Sequence, residues 1–272
     1  MTTPIRPDSS HVAHTLRRTF QVDRLTVEVY DTADAVAFAA SQRAYKVLQK
    51  MVDHQGRAAA VFATGRSQKQ CLHYLTQTQD DRQTKFWSAV TGFHLDEYLS
   101  LPATHPASFR HYLRSHLTSQ VQLAAFHEIE GDCLLPRAHC EAYEASLRQQ
   151  PIDLGFLGIG NNGHLAFNDP DVADFADPHW VKLVRLDEKN RQQQLNSTVF
   201  NSLDAVPHYA FTLTLSAIAE FSRILCLAFG EGKATIVRRM VVGPVEPRCP
   251  ATLLRKLPHA TLLLDSEAAA KL

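Results

Sequence analysis

The sequence predicts an α/β fold: one doubly wound, mostly parallel sheet with helices on both faces. Three observations carry this. Short apolar runs of strand length alternate with longer segments of helical periodicity along most of the chain. Several of the strands end in glycine or acidic turns just before a helix, at the edge where open α/β sheets bind ligands. No internal repeat, low-complexity tract or Pro/Gly-rich linker divides the 272 residues, which suits a single domain with a sizeable core.

Taken in order, residues 1–20 lack an apolar signal region and are expected to be disordered or loosely attached, leaving 21–272 as the α/β domain. Residues 24–30 (RLTVEVY) alternate as a half-buried strand. Asp31 is a fair N-cap for a helix to about residue 52, with Val36, Ala40, Ala44, Val47, Leu48 and Met51 on one face. A buried strand over 58–63 stops at Thr64-Gly65-Arg66-Ser67, and a helix follows over 68–79. Residues 86–95 read as one strand ending in Leu95-Asp96-Glu97-Tyr98. Helices follow over 106–118 and 137–149. After a strand over 152–157 come a loop bounded by prolines, a strand over 181–186 and a polar helix over 187–200, placed where lids often lie. Strands over 209–215, 224–229 and 260–265 alternate with helical segments over 216–221, 234–240, 250–257 and 266–272.

Residues 152–170, IDLGFLGIGNNGHLAFNDP, hold the densest chemistry. An apolar strand breaks into glycines, and His164 follows with Asp169 five residues on. The two can meet if the turn folds back, and a carboxylate beside an imidazole fixes its tautomer for proton transfer. The residues alone leave open a helix start with an incidental histidine. Thr64-Gly65-Arg66-Ser67 reads as a strand, a glycine turn and a helix start, an anion site strengthened by an arginine and a hydroxyl, or else as an ordinary βα turn. Asp96 and Glu97 end their strand at the ligand edge. Adjacent side chains point apart, so at most one faces a site; the competing reading is a solvated turn. Lys233, after Gly230-Glu231-Gly232, offers a cation at another strand end or simply snorkels.

Composition excludes several classes. Lys plus Arg and Asp plus Glu are both 28, so net charge is zero, and neither nucleic acid nor a membrane surface is expected as a partner. The 14 histidines form no HxxxH or HxH cluster, so no metal is expected. Cys71, Cys133, Cys140, Cys226 and Cys249 form no CxxC pair and read as reduced thiols of a cytoplasmic protein. No apolar run reaches the length of a membrane span.

Four stretches together resemble one family. ATGRS, FHLDEYLSLPATHPASFRHYL, GIGNNGHLAFNDP and FGEGKA, in that order and approximate spacing, are similar to glucosamine-6-phosphate deaminase (isomerising), within the deaminase/6-phosphogluconolactonase superfamily. The similarity spans about residues 25–265, and the GHLAFNDP and LDEY pieces are its specific parts. The resemblance implies a Rossmann-like fold of that type and conversion of D-glucosamine 6-phosphate and water to D-fructose 6-phosphate and ammonia, without metal or organic cofactor. Asp96 stands where the family keeps the base that moves a proton from C2 to C1, and His164 where it keeps the ring-opening histidine. Asp169 replaces the usual glutamate, and Asn162 stands where better-studied members carry an aspartate. Gly65, Arg66, Ser67 and Lys233 would hold the phosphate, with Thr64, Glu97 and Gly163 as further substrate contacts. Thr198 lies near the position of a phosphate-binding arginine, for which Arg191 is the candidate replacement. These departures bear on the sugar more than on the reaction type.

Three alternatives stand beside this expectation. A 6-phosphogluconolactonase resembles GxDGHxASLFP after the strand, whereas this chain has AFNDP. A deaminase of a different amino-sugar phosphate would keep the same site. A non-catalytic sugar-phosphate sensor usually carries a DNA-binding helix-turn-helix, for which some twenty N-terminal residues are too few. Whether the chain forms a homo-oligomer is left open.

Overall fold

The chain enters its main sheet through a hairpin. Leu16–Val22 (β1) pairs antiparallel with Leu25–Tyr30 (β2), turning at Asp23 with a left-handed φ of 51°. The computed structural model describes residues 15–77, 85–197 and 200–272. β1 corrects the expectation of a loose segment up to residue 20. LRRTFQV is polar and mostly exposed at the sheet edge, so only backbone pairing reveals it as a strand. Ala33–Gln55 (α1) follows. Its cap is Thr32 rather than Asp31: the Thr32 hydroxyl accepts from the Ala35 N–H at 3.1 Å. Gly56 ends the helix at φ 72° and donates to the Val52 carbonyl.

Ala58–Phe62 (β3), Arg66–Thr76 (α2), Val90–His94 (β4), Asp96–Tyr98 (β5), Phe109–Leu113 (α3), Ala125–His127 (β6), Pro136–Leu147 (α4) and Leu154–Gly158 (β7) come next. Val181–Arg185 (β8), Glu188–Ser197 (α5), Tyr209–Leu213 (β9), Leu215–Ala219 (α6), Ile224–Ala228 (β10), Ala234–Val242 (α7) and Ala260–Asp265 (β11) complete the order. The main sheet runs β1-β2-β11-β10-β7-β3-β4-β6 and is parallel except at the opening hairpin. β3 and β10 are buried along their whole length, as their unbroken apolar runs require of central parallel strands. α1 and α2 lie side by side over the sheet.

This strand order fixes where a ligand can sit. From β3 the chain moves outward to β4 and β6, whereas from β7 it returns the other way to β10. β3 and β7 are neighbours, so the crevice between their carboxyl ends is the switch point of the sheet.

The run over 86–95 is not one strand. β4 ends at His94, and Asp96–Tyr98 leaves to pair antiparallel with β9, which pairs in turn with β8 in a separate three-stranded sheet. A change of pairing partner is a long-range event that local lettering does not record. Residues 106–118 condense to α3 followed by a π-helical turn, Arg114–Thr118. The 250–257 segment is a 3₁₀ helix at Pro250–Lys256, and 266–271 are turns. Residues 78 and 79 of the expected second helix and Thr198 lie outside the described residues. No described helix is long and apolar enough to cross a membrane.

β9 ties the small sheet to the main one. Thr212 is the register partner of Asp96, and its hydroxyl accepts the Phe167 N–H at 3.0 Å while donating to the Leu213 carbonyl at 3.0 Å. Asn168 adds bonds to the carbonyls of Leu213 at 2.8 Å and Leu165 at 2.9 Å. The loop after β7 is thereby anchored to the strand that positions Asp96. Thr212→Val keeps the shape but leaves a buried N–H without its acceptor, and should cost about 1–3 kcal/mol. Urea unfolding reads this, and an unchanged midpoint would show that the hydroxyl is not the tie.

Candidate active site

A cavity of about 730 Å³ opens over the carboxyl ends of β3, β7 and β10. Thr64, Gly65, Arg66, Ser67, Asp96, His164 and Lys233 all line it. Residues from distant stretches of the chain thus share one space.

His164 is set by the glycines before it. Its ring lies against Gly160, where a Cβ would fall 2.2–2.4 Å from three ring atoms. Gly163 turns the chain at φ 92°. Asn162 Oδ1 accepts the His164 N–H at 3.0 Å. The imidazole Nδ1 sits 3.0 Å from Asp169 Oδ1. Nδ1 therefore carries the proton, and Nε2 keeps its lone pair for the cavity. Asp169 is 1% exposed and also receives Asn162 Nδ2 at 2.9 Å and Asn190 Nδ2 at 2.9 Å to each oxygen. Burial alone would raise its pKa. The hydrogen bond and charge of His164, with the two asparagine amides, outweigh it and hold the carboxyl below its ordinary value.

Asp96 and Glu97 have opposite fates. Asp96 faces the cavity, and among the described residues no hydrogen bond reaches its carboxylate. Burial, with the adjacent Glu97 charge adding to it, pushes its pKa well above the ordinary carboxylate value. The Glu97 side chain turns away, which corrects its assignment as a substrate contact. It accepts from Ser108 Oγ at 2.7 Å and from the N–H groups of Tyr98, Phe109 and Arg110 at 2.8–3.1 Å. Glu97 is a buried cap for the start of α3.

The other end of the cavity is built for an anion. Gly65 precedes α2 at φ 104°, and no side chain caps that helix, so its first N–H groups remain available. The Tyr112 hydroxyl donates to the Gly65 carbonyl at 2.9 Å and braces the turn from α3. Arg66 lies at the rim, exposed. Across the crevice, Lys233 Nζ donates to the Ile159 carbonyl at 2.6 Å and to Asn161 Oδ1 at 2.7 Å. Burial lowers the Lys233 pKa to about 8.

Three further expectations need correction. Arg191 does not reach the cavity; its guanidinium is buried and donates to the carbonyls of Leu203 and Val206. Gly163 shapes the turn without lining the cavity, and Asn162 acts from behind, on Asp169 and the His164 amide. The α5 residues that do face the cavity are Gln193 and Gln194, with Asn190 beneath them. Sequence reading treated this helix as a lid and did not single them out; their only signal was polar residues at i, i+3 and i+4. Among the described residues no group of three His, Cys, Asp or Glu is placed to hold a metal ion.

Comparison with known proteins shows the family and the fold. Residues 31–263 match the family described as glucosamine-6-phosphate isomerases/6-phosphogluconolactonase. A glucosamine-6-phosphate deaminase of Listeria monocytogenes is 31% identical over 234 residues, covering 86% of this chain and 96% of its own. One from Exiguobacterium sibiricum is 39% identical over 183 residues, 67% of this chain and 71% of its own. The solved structure of a monomeric glucosamine-6-phosphate deaminase superposes with a TM-score of 0.82 at 27% identity, over 90% of this chain and 99% of its own. A 6-phosphogluconolactonase from Trypanosoma brucei, at 17% identity and a TM-score of 0.75 over 95% of this chain and 100% of its own, shares the fold.

The lowered pKa of Lys233 gives a measurable sign. The ammonium is charged below about pH 8 and neutral above it. Affinity for inorganic phosphate, taken relative to Lys233→Arg, should therefore fall as pH rises through about 8. Calorimetric titration on both sides of that pH checks this; a constant ratio would remove Lys233 from the anion site.

Proposed function

We propose that this chain, which belongs to the family of glucosamine-6-phosphate isomerases and 6-phosphogluconolactonases, converts D-glucosamine 6-phosphate and water to D-fructose 6-phosphate and ammonia. One observation carries the reading: Asp96 and His164, the latter backed by the buried Asp169, open onto a single cavity whose far end suits a phosphate.

The chemistry follows from what each group can do. Phosphate at the start of α2, between Arg66 and Lys233, supplies remote binding energy that positions the sugar. His164, with Nδ1 committed to Asp169, uses Nε2 to carry the proton between the sugar oxygens as the ring opens. Asp96 removes the C2 proton. A carboxylate raised by burial is a stronger base once ionised, and with no hydrogen bond from the described residues to hold it, it is free to turn to carbon. The resulting enolamine is reprotonated at C1 by the same acid, giving an imine at C2. Water adds to that carbon, the nitrogen takes a proton, and ammonia leaves. Asp169 spreads the positive charge that His164 gains in transit. The reading places the enzyme in the cytoplasm, consistent with five unpaired thiols of which four are buried.

Asp96→Asn should cut ammonia release from glucosamine 6-phosphate by about 100- to 10,000-fold and leave sugar-phosphate binding nearly intact. Parent-like turnover in this variant would remove Asp96 from its role. In the parent, kcat/KM should drop on the acid side at a pH above the ordinary carboxylate range, since Asp96 must be ionised to act. Running the assay on galactosamine and N-acetylglucosamine 6-phosphates, beside hydrolysis of 6-phosphogluconolactone, tests the substrate.

A further inference from the structure

We propose that Asn190 is a positioning residue of the acid–base pair: it holds the Asp169 carboxylate in place against His164, and so makes docking of α5 a condition for a working imidazole. The proposal rests on the deaminase reading for its kinetic arm alone.

The geometry is specific. A single amide nitrogen lies 2.9 Å from both Asp169 oxygens and 3.5 Å from His164 Nδ1. Asp169 Oδ1 has other donors, His164 and Asn162. Oδ2 has Asn190 as its one donor among the described residues. Asp169 and Asn190 are each 1% exposed, so water does not readily replace that donor. A buried carboxylate oxygen stripped of its partner is costly, and the carboxyl would rotate or take up a proton to relieve it. Either change breaks the bond that fixes the imidazole tautomer.

The amide is held so that it can only donate here. Gln194, one turn further along α5, gives Nε2 to Asn190 Oδ1 at 3.2 Å, which leaves the NH₂ group aimed at Asp169. The Asn190 N–H is bonded to Asp187 Oδ1, so the helix cap sets where the side chain starts. Chemistry explains the residue type. Lysine or arginine would neutralise Asp169 and weaken its hold on a protonated imidazole. An acid would repel it. A neutral amide donates without changing the charge of the pair.

The same face of α5 reaches the other end of the cavity. Gln193 Oε1 accepts the Asn161 N–H at 2.9 Å, and the Asn161 side chain accepts from Lys233. Lifting α5 therefore releases the carboxylate behind the histidine, and the loop that carries it, in one movement.

The test uses the intact chain. A buried Nδ1–H bonded to a carboxylate gives a downfield proton resonance in the resting protein, assigned by its loss in His164→Gln. In Asn190→Ala, with an unchanged circular dichroism spectrum, this resonance should broaden into exchange with water. In the turnover assay kcat should fall about 10- to 100-fold while KM stays within about 2-fold, because the residue acts through the base and not on binding. Asn190→Ser keeps one short donor and should recover part of both readings. It also serves as the deciding variant if the alanine protein does not fold. Absence of the resonance in the parent, its persistence in a folded variant, or parent-like kcat in that variant would each overturn the proposal. A parent that shows the resonance but releases no ammonia would instead sink the deaminase reading, and the resonance alone would then decide the role of Asn190.

Discussion

Thr212 is engaged on two sides at once. Its backbone pairs with Asp96, and its hydroxyl takes the amide of Phe167, three residues beyond His164. Asp96, the proposed base, opens β5 just beyond the end of β4, and His164 lies in the loop after β7; β4 and β7 are not neighbours in the main sheet. No local preference sets the distance between them. The register of one short antiparallel sheet does. A slip of one residue in β9 would turn the Thr212 hydroxyl to the opposite face and release the loop. The geometry of the proposed site is thus a consequence of strand register in a short three-stranded sheet.

Three buried carboxylates show how donors, more than depth, set function. Asp96, Glu97 and Asp169 are all nearly inaccessible. Asp96 receives no donor among the described residues and rises well above its ordinary value through burial. Glu97 receives four donors, yet burial still wins and its pKa is raised. Asp169 has a histidine and two amides, and it falls. The first suits a base that must reach carbon, the second a strut, and the third a permanent counter-charge. Desolvation is common to all three; Asp169 alone has an ionisable partner at hydrogen-bonding distance, His164 at 3.0 Å, whereas the Arg110 Nε stays 3.8 Å from Glu97.

α5 is more than a cover. A helix with one apolar side chain, Leu195, relies on its polar ones to make tertiary contacts. Asn190, Gln193 and Gln194 do so toward the cavity, and Arg191 does so in the opposite direction, satisfying the carbonyls of Leu203 and Val206. The proposed phosphate site therefore offers one rim arginine, one half-buried lysine and a helix start, while its α5 wall is neutral.

Most strands of the main sheet, the glycine turns and the His164–Asp169 encounter were legible in the letters, because each depends on residues close together in the chain; β1, β5 and β6 were not. Apolar runs, positive-φ glycines and a five-residue spacing are local signals. The motif resemblance added the reaction, which spacing alone left open. The letters also stated that only one of Asp96 and Glu97 could face a site, since neighbours on a strand alternate, but not which. That was decided by β5 leaving the main sheet to pair with β9. Likewise, Asn190 and Arg191 differ by one step around a helix whose one apolar residue, Leu195, makes no stripe, so the letters set its rotation only weakly. Tertiary contacts turned the asparagine inward and the arginine away, because orientation about a mostly polar helix is fixed by what it packs against.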